Sequence, residues 1–408
     1  MSEMFSRYFK SKFSPVVRHS TPLPSVTLQM NMKLQVDTIY TDFSAAFDSV
    51  DHVLLLHKLT SYGICGKLLE MFSSYLKDRY QVVNVNSATS STELVTSGVP
   101  QGSILGPLFF VLYVNDLPSC FKNCQSLMYA DDLKLFRSIE GDSDYTLLQN
   151  DVLALSCWCA TWKLKLNVTK CKILTFTNKK RYKVYDYKLD GTNLERVKHM
   201  RDLGVILSSD LSYNRHVNYV LPKAYKLPGF IKRNCLKDMK PQTLRRMYVS
   251  LVRPQVDYAT VIWNPNKNHA TNTRSIESIQ KRFIKMLCYK SGTIYHRDEY
   301  VQLCNNLFLT TLFKRRELTD LIFLFRILHN FHNDSLLNYI SFRVPSRTTR
   351  SHDTFAVSKP RINILKFSCI FRIQTCYNSL PHNQIDIHSC ELSEFKKCIN
   401  NLVCDLIL

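Results

Sequence analysis

Three aspartates carry the strongest chemical signal in this sequence. Asp42 closes a run of alternating β-branched and aromatic residues, Val36-Asp37-Thr38-Ile39-Tyr40-Thr41, which reads as a strand. Asp131-Asp132 fall between two further strand-like stretches, Leu127-Met128-Tyr129-Ala130 and Leu133-Lys134-Leu135-Phe136. If those strands are neighbours in one antiparallel sheet, the carboxylates share a space. Two divalent ions about 3.5–4 Å apart need such a shell, and magnesium prefers oxygen ligands. The bland alternative stays open: an Asp-Asp dipeptide between strands is also an ordinary hairpin turn.

The elements that would position these carboxylates are legible around them. Helical spacing of Val50, Val53, Leu54, Leu56 and Leu59 predicts a helix over 48–62, stopped by Gly63. A second helix is expected after Gly66, with Leu68, Leu69, Phe72, Tyr75 and Leu76 on one face. Residues 81–86 and 93–96 read as a paired strand couple, and the small-residue loop Ser97-Gly98-Val99-Pro100-Gln101-Gly102-Ser103 opens an apolar helix running to Val114. A helix over 143–162, a strand over 173–177 and a hairpin turn at Asp190-Gly191 follow. Beyond residue 210 the pattern is mostly helical.

Composition narrows the class. The 408 residues carry a formal charge of +21, with a hydrophobic share of 45% and an aromatic share of 12%. That is enough apolar material for a core and excludes disorder as the whole answer. The charge is uneven, +5 over residues 1–204 and +16 over 205–408. Chemistry in the first half and grip on a polyanion in the second is the natural division. Solvated surface lysines are the plainer reading of the same excess. The 14 cysteines follow no zinc spacing and point to a reducing compartment, and those near the C-terminus, several at helix positions that look buried, read as structural thiols. With no secretory pattern at residues 1–12, an intracellular protein of nucleus or cytoplasm is expected, not a secreted one. The longest apolar run, 107–114, is far short of the ~20 residues that span a bilayer.

Order and context then add to the aspartates. Tyr40-Thr41-Asp42-Phe43-Ser44-Ala45-Ala46-Phe47-Asp48, Gly98-Val99-Pro100-Gln101-Gly102-Ser103 with Ile104-Leu105-Gly106-Pro107-Leu108-Phe109, and Tyr129-Ala130-Asp131-Asp132 occur in that order. Together they resemble the palm motifs of reverse transcriptases of non-LTR (LINE-type, jockey/CR1-like) retrotransposons. The resemblance continues through Leu166-Asn167-Val168-Thr169-Lys170-Cys171-Lys172 and Asp202-Leu203-Gly204-Val205. Downstream it takes in Leu251-Val252-Arg253-Pro254, Trp263-Asn264-Pro265 and Asn378-Ser379-Leu380-Pro381, and so covers about residue 36 to the end.

That resemblance implies an α+β fold: a right-hand polymerase palm, an antiparallel sheet with helices, followed by a mostly helical, basic thumb and C-terminal region. The implied division is 1–36 as a leader or remnant of fingers, 37–210 as palm with partial fingers, 211–310 as thumb-like and 311–408 as C-terminal. The implied activity is RNA-directed DNA polymerisation, with an RNA template, a DNA primer and deoxynucleoside triphosphates as partners and no membrane. Asp42, Asp131 and Asp132, with the backbone carbonyl of Phe43, would hold two Mg²⁺ ions, Mn²⁺ being a substitute. Phe47 matches the family's sugar gate, although a core aromatic at that position is the alternative. Gln101 and Gly102 match the pair that packs under the incoming nucleotide. Lys170 matches a lysine that protonates the leaving pyrophosphate, with Lys163, Lys165 and Lys172 as neighbouring candidates.

Three departures from the family pattern stand beside these expectations. Only Arg18-His19-Ser20-Thr21 is left as a remnant of fingers, no endonuclease region is present, and Ala45 replaces a commoner basic residue. The alternative is therefore a catalytically lapsed, nucleic-acid-binding remnant that lacks the fingers. An RNA-copying RNA polymerase shares the carboxylate logic, but Ala130 and Phe47 speak against it. Phosphate contacts on the thumb are expected from Lys232, Arg233, Arg245, Arg246, Lys281, Arg282 and Lys285.

Overall fold

All seven residues of β1 (Gln35–Thr41) are buried in the computed structural model of the protein. Asp37 lies fully buried among them, as the hub of a polar network across the sheet. Its Oδ1 accepts from Gln35 Nε2 at 3.0 Å and Thr175 Oγ1 at 2.7 Å, and its Oδ2 from Tyr187 at 2.9 Å. Arg196 supplies the countercharge at 3.4 Å. Buried polar groups need such partners, and this network supplies them.

The structure describes residues 26–27, 29–30, 32–265, 270–329, 334–343, 353–357, 366, 368–381 and 387–405. Most of the 1–36 leader, including Arg18–Thr21, lies outside the described residues. The chain divides into two compact units, one holding 33–198 and the other 199–408 with residues 23–32.

In the first unit, helices α1 (His52–Ser61), α2 (Lys67–Leu76) and α3 (Leu105–Val114) follow β1. Then come β2 (Gln125–Tyr129), β3 (Asp132–Ile139), α4 (Asp142–Thr161), β4 (Lys172–Phe176) and β5 (Glu195–Val197). The five strands form one sheet in the order β5-β4-β1-β3-β2. All neighbours are antiparallel except β5 beside β4, which is parallel. Ile39, Leu133, Leu135 and Ile173 of the sheet pack with Leu55, Leu59, Phe72, Phe109, Phe110 and Leu155 of the helices in one core. This is an α+β architecture, a central sheet flanked by helices.

Helix α1 starts later than its apolar spacing predicts. Residues 44–49 form turns, and Ala45 adopts φ +47°. Asp51 then caps the helix, its side chain accepting from Leu54 N at 3.0 Å. The strand couple expected over 81–96 is reduced to two short ladders, Tyr80–Gln81 with Glu93–Leu94 and Asn84–Val85 with Ala88–Thr89. Their residues are exposed, so no buried face extends them. Asp190-Gly191 forms the expected turn, both residues at positive φ.

The second unit holds a hairpin, His199–Asp202 against Val205–Ser208, and its other named elements among the described residues are helices. Its main helices are α5 (Asn214–Cys235), α6 (Ala270–Lys290), α7 (Leu312–Leu328), α8 (Cys369–Asn378) and α9 (Leu392–Asp405). Ile276, Ile279 and Phe283 are buried on α6, as their spacing predicts. Glu277 on the same helix caps α7, accepting from Leu312 N and Phe313 N at 3.0 Å each. Asp320 on α7 binds Arg372 of α8 at 2.7 Å and accepts from Asn264 at 3.1 Å.

His216 on α5 gives this unit an acid-sensitive joint. The ring is buried, packs edge-on against Trp263 and accepts the Ile206 amide at Nδ1. Burial, reinforced by Arg201, pushes its pKa down to about 4. An unfolded histidine binds its proton near 6.5, so the unfolded chain takes up the proton first. Stability from this site is complete above pH 6.5 and is lost as pH falls toward 4, on the order of 3 kcal/mol. Denaturant titrations should show that loss in the wild type and a flatter profile in His216→Gln.

Among the described residues, no helix is long and apolar enough to cross a membrane.

Candidate active site

The register of the sheet decides where the aspartates go. Thr41 of β1 pairs with Leu133 of β3, and Thr41 Oγ1 donates to the Leu133 carbonyl at 3.1 Å. The ladder ends at that pair, and Asp42 and Asp132 are the next residues on the two chains. Tyr129 pairs with Asp132 across the β2–β3 hairpin, leaving Ala130 and Asp131 as its two-residue turn. Ala130 adopts φ +52°, the turn geometry a glycine would take without strain. The three aspartates thus leave the same end of the sheet, from two adjoining strands.

The chain past Asp42 leaves β3 and turns toward the segment before β4. The Asp42 carbonyl accepts from Asn167 N, and Ser44 N donates to the Lys165 carbonyl, each at 2.8 Å. These bonds bracket a Phe43–Leu166 bridge, in which the Phe43 carbonyl itself takes no part. That carbonyl is therefore left on the side away from Leu166, whereas its ring is buried in the core.

Asp42 Oδ2 is buried and accepts no hydrogen bond, and the Lys170 ammonium stands 3.5 Å from it. Of the neighbouring lysines, Lys163 is paired with Asp51 at 2.7 Å and Lys172 with Glu195 at 2.6 Å. An anionic oxygen without a donor is chemically suited to a cation. The full two-ion set expected from Asp42, Asp131 and Asp132 is nevertheless not assembled. Among the described residues, no three Asp, Glu, His or Cys side chains are placed to hold a metal ion. Strand register makes the chain ends neighbours, and register alone does not gather their carboxylates.

The loop with Gln101 and Gly102 is fastened to the turn after Asp42. Val99 N donates to the Phe47 carbonyl and Gly98 N to the Val50 carbonyl, each at 2.8 Å. Ser97 Oγ reaches the Asp48 carbonyl at 3.0 Å, and His52 Nε2 lies 2.7 Å from the Gly98 carbonyl. Gln101 Nε2 donates to Asp48 Oδ1 at 2.9 Å. Phe47 is half-buried and stacks on Phe110, with centroids 4.6 Å apart. Gly102, at φ +78°, has open space around its α-carbon.

Gly98 is the close approach in this junction. Its φ is +90°, and an added Cβ would lie 2.8 Å from the Asp48 backbone. Gly98→Ala should cost about 2 kcal/mol or more in chemical denaturation, whereas Gly102→Ala, with free space, should cost only its positive φ.

Two features escaped the sequence reading. Lys58 on α1 is 2% exposed. It donates to Asp116 and the Tyr113 carbonyl at 2.5 Å each, and lies 3.5 Å from the Trp162 ring centroid. Asp151 on α4 accepts the amides of Lys122, Asn123 and Cys124, pinning the loop before β2. Neither has a motif; each joins residues far apart in sequence.

On the second unit, Lys232, Arg233, Arg246, Lys281, Arg282 and Lys285 are exposed. Arg245 differs, because its guanidinium is turned to the carbonyls of Leu307 and Phe308 at 2.6 and 2.9 Å. The Tyr258 hydroxyl donates to Leu203 at 2.7 Å, and its ring covers Gly204 at the tip of the 199–208 hairpin.

Residues 7–207 match the family model described as reverse transcriptase (RNA-dependent DNA polymerase). Among curated proteins, a probable RNA-directed DNA polymerase from transposon BS of Drosophila melanogaster is 28% identical over 283 residues, 64% of this chain and 30% of that protein. The chain resembles the reverse transcriptases of non-LTR retrotransposons. The RNA-directed DNA polymerase from mobile element jockey of Drosophila funebris is likewise 28% identical, over 51% of this chain and 24% of that protein. A Pol polyprotein from the type-1 element R2 of Popillia japonica is 26% identical over 149 residues. The chain thus spans less than a third of the length of these reverse-transcriptase relatives. Among solved structures, telomerase from Candida tropicalis with a fragment of telomeric RNA aligns over 76% of this chain and 56% of its own, at 10% identity and a TM-score of 0.40.

Proposed function

We propose that the chain supplies the palm and helical regions of an RNA-directed DNA polymerase of a non-LTR retrotransposon, adding deoxynucleotides to a primer 3′-hydroxyl. The supporting observation is the register that carries Asp42 past Thr41–Leu133 toward the Tyr129–Asp132 hairpin. The regions proposed are palm over 37–210, thumb over 211–310 and a C-terminal part over 311–408, in an intracellular setting. Asp42, Asp131, Asp132 and the Phe43 carbonyl would hold two Mg²⁺ ions, or Mn²⁺ in their place. When bound, such ions activate a primer hydroxyl and offset the charge of a triphosphate leaving group.

The chain's own side chains have separate tasks in this reading. Asp48 holds the Gln101 amide beside the sugar and template, and Gly102 lets the backbone come close. Lys170, beside Asp42, is placed to give a proton to departing pyrophosphate. Phe47, held rigid by Phe110, excludes a ribose 2′-hydroxyl by contact alone. Phe47→Ala should therefore admit ribonucleotides in single-nucleotide addition assays; an unchanged sugar preference would return Phe47 to a purely packing role. Exposed lysines and arginines of the second unit would track duplex phosphates.

A second reading has its own observation in support. The carboxylates are not gathered and Asp42 is matched by Lys170, which suits a chain that binds nucleic acid without extending it. For the arrangement described, this is the better match. The two readings separate when purified protein meets a primer annealed to RNA, Mg²⁺ and deoxynucleotides. Extension supports the polymerase. Tight, salt-sensitive binding without extension supports the lapsed form.

A further inference from the structure

The loop between β4 and the strand Lys188–Leu189 reads Asn178-Lys179-Lys180-Arg181-Tyr182-Lys183-Val184-Tyr185, and 178–186 are all exposed. It lies beside Gln35 and Ile139, at the end of the β1–β3 ladder opposite Asp42. At ~3.3 Å per residue, the length of β1 puts roughly 20 Å between this loop and the aspartates. The function described above makes no use of it.

Part of the loop is fastened and part is not. The Lys183 carbonyl accepts from Gln35 Nε2 at 3.0 Å and from the Tyr145 hydroxyl at 3.1 Å, and the Lys183 ammonium is matched by Asp142. Tyr185 stacks on Tyr145 with centroids 5.3 Å apart and ring planes 9° apart, and its carbonyl accepts from Arg196 at 2.7 Å. Lys179, Lys180 and Arg181 have no ion pair among the described residues, and Tyr182 is 42% exposed. Between this free stretch and the start of α4 lies a cavity of about 320 Å³, lined by Tyr145, Lys179, Arg181, Tyr182 and Lys183, with Glu140 on its wall.

We propose that this cleft is a second nucleic-acid site, which takes one base of a single strand while Lys179, Lys180 and Arg181 hold the flanking phosphates. The volume is at the small end of ligand pockets, roughly 300 Å³ and upward, and suits a single nucleotide. A run of unpaired basic side chains followed by an exposed ring supplies the elements of single-strand binding, in which phosphates meet charge and a base meets an aromatic face. Glu140 distinguishes a strand from a free phosphate. A glutamate in the lining disfavours a bare anion and can accept a hydrogen bond from the amino group of an inserted cytosine or guanine.

The test uses the full chain, a photoreactive 12-nucleotide single strand as RNA or as DNA, and saturating unlabelled primer–template duplex. Crosslinking is expected on the peptide that contains Tyr182 and should persist with duplex present. The Lys179→Ala, Lys180→Ala, Arg181→Ala triple variant should weaken the oligonucleotide at least about tenfold and lower the salt slope by about 2, the loss of three phosphate contacts. Tyr182→Ala alone should weaken it about fivefold or more. All four positions are exposed, so an unchanged melting temperature verifies folding. The RNA and DNA arms show which strand the cleft prefers. Crosslinks elsewhere, crosslinks removed by the duplex, or wild-type affinity in the triple variant would overturn the proposal. So would binding of a polyglutamate peptide that falls in the triple variant while oligonucleotide binding does not. None of these readings depends on primer extension.

Discussion

Asp131→Asn should reduce deoxynucleotide addition by roughly 10²–10³-fold or more while leaving primer–template affinity within about threefold. The size follows from what the substitution removes. The carboxylate would hold a cation that offsets charge developing in the reaction, typically worth about 3–4 kcal/mol, so its loss falls on turnover, not on binding. Asp131 occupies the two-residue turn between Tyr129 and Asp132, so the amide variant changes charge with little change of shape. The phosphate grip belongs to other surfaces, which is why binding should survive. Single-turnover extension beside filter binding makes the comparison. Equal loss of both would mean that Asp131 supports the hairpin and has no part in the chemistry.

Lys58→Ala is expected to have the largest effect on stability, about 3–5 kcal/mol by urea denaturation. The ammonium is enclosed by Tyr113, Trp158 and Trp162, with centroids 5.1, 4.7 and 3.5 Å away, and Asp116 supplies its countercharge. Alanine leaves the Asp116 carboxylate and the Tyr113 carbonyl without their donor and opens a cavity among the rings. The wild-type pair also has a pH signature. Burial, opposed by Asp116, pushes the Lys58 pKa down to about 8. The unfolded lysine holds its proton to about 10.4, so between pH 8 and 10 the unfolded chain binds more protons. Stability from this site therefore rises with pH across that window. Lys58→Met, which cannot titrate, should lose ground against the wild type from pH 8 to pH 9.5, by about 2 kcal/mol.

What the sequence made legible was local, and what it hid was not. Val36 to Thr41, the Asp131 turn and the Asp190-Gly191 hairpin are set by alternation and turn chemistry within a few residues, and they stand where expected. The ordered motifs pointed to the neighbouring strands from whose shared end Asp42 and Asp132 leave. Lys58, by contrast, depends on Tyr113, Asp116, Trp158 and Trp162, which no short window contains. Asp37 is a related case: no short window shows that Arg196 and Tyr187 arrive to surround it. The late start of α1 follows from the Asp51 cap, which overrides the apolar spacing that begins at Val50. The charge asymmetry separates the halves, yet it gave no hint that Arg245 is spent on backbone carbonyls.

The most direct measurement is anomalous diffraction from crystals of the chain with primer–template, a non-reacting deoxynucleotide triphosphate and Mn²⁺. The account predicts manganese peaks at the Asp42 and Asp131 carboxylates, with Lys170 displaced from Asp42. An ordered duplex with no manganese at Asp42 and with the Lys170 pair unchanged would contradict it.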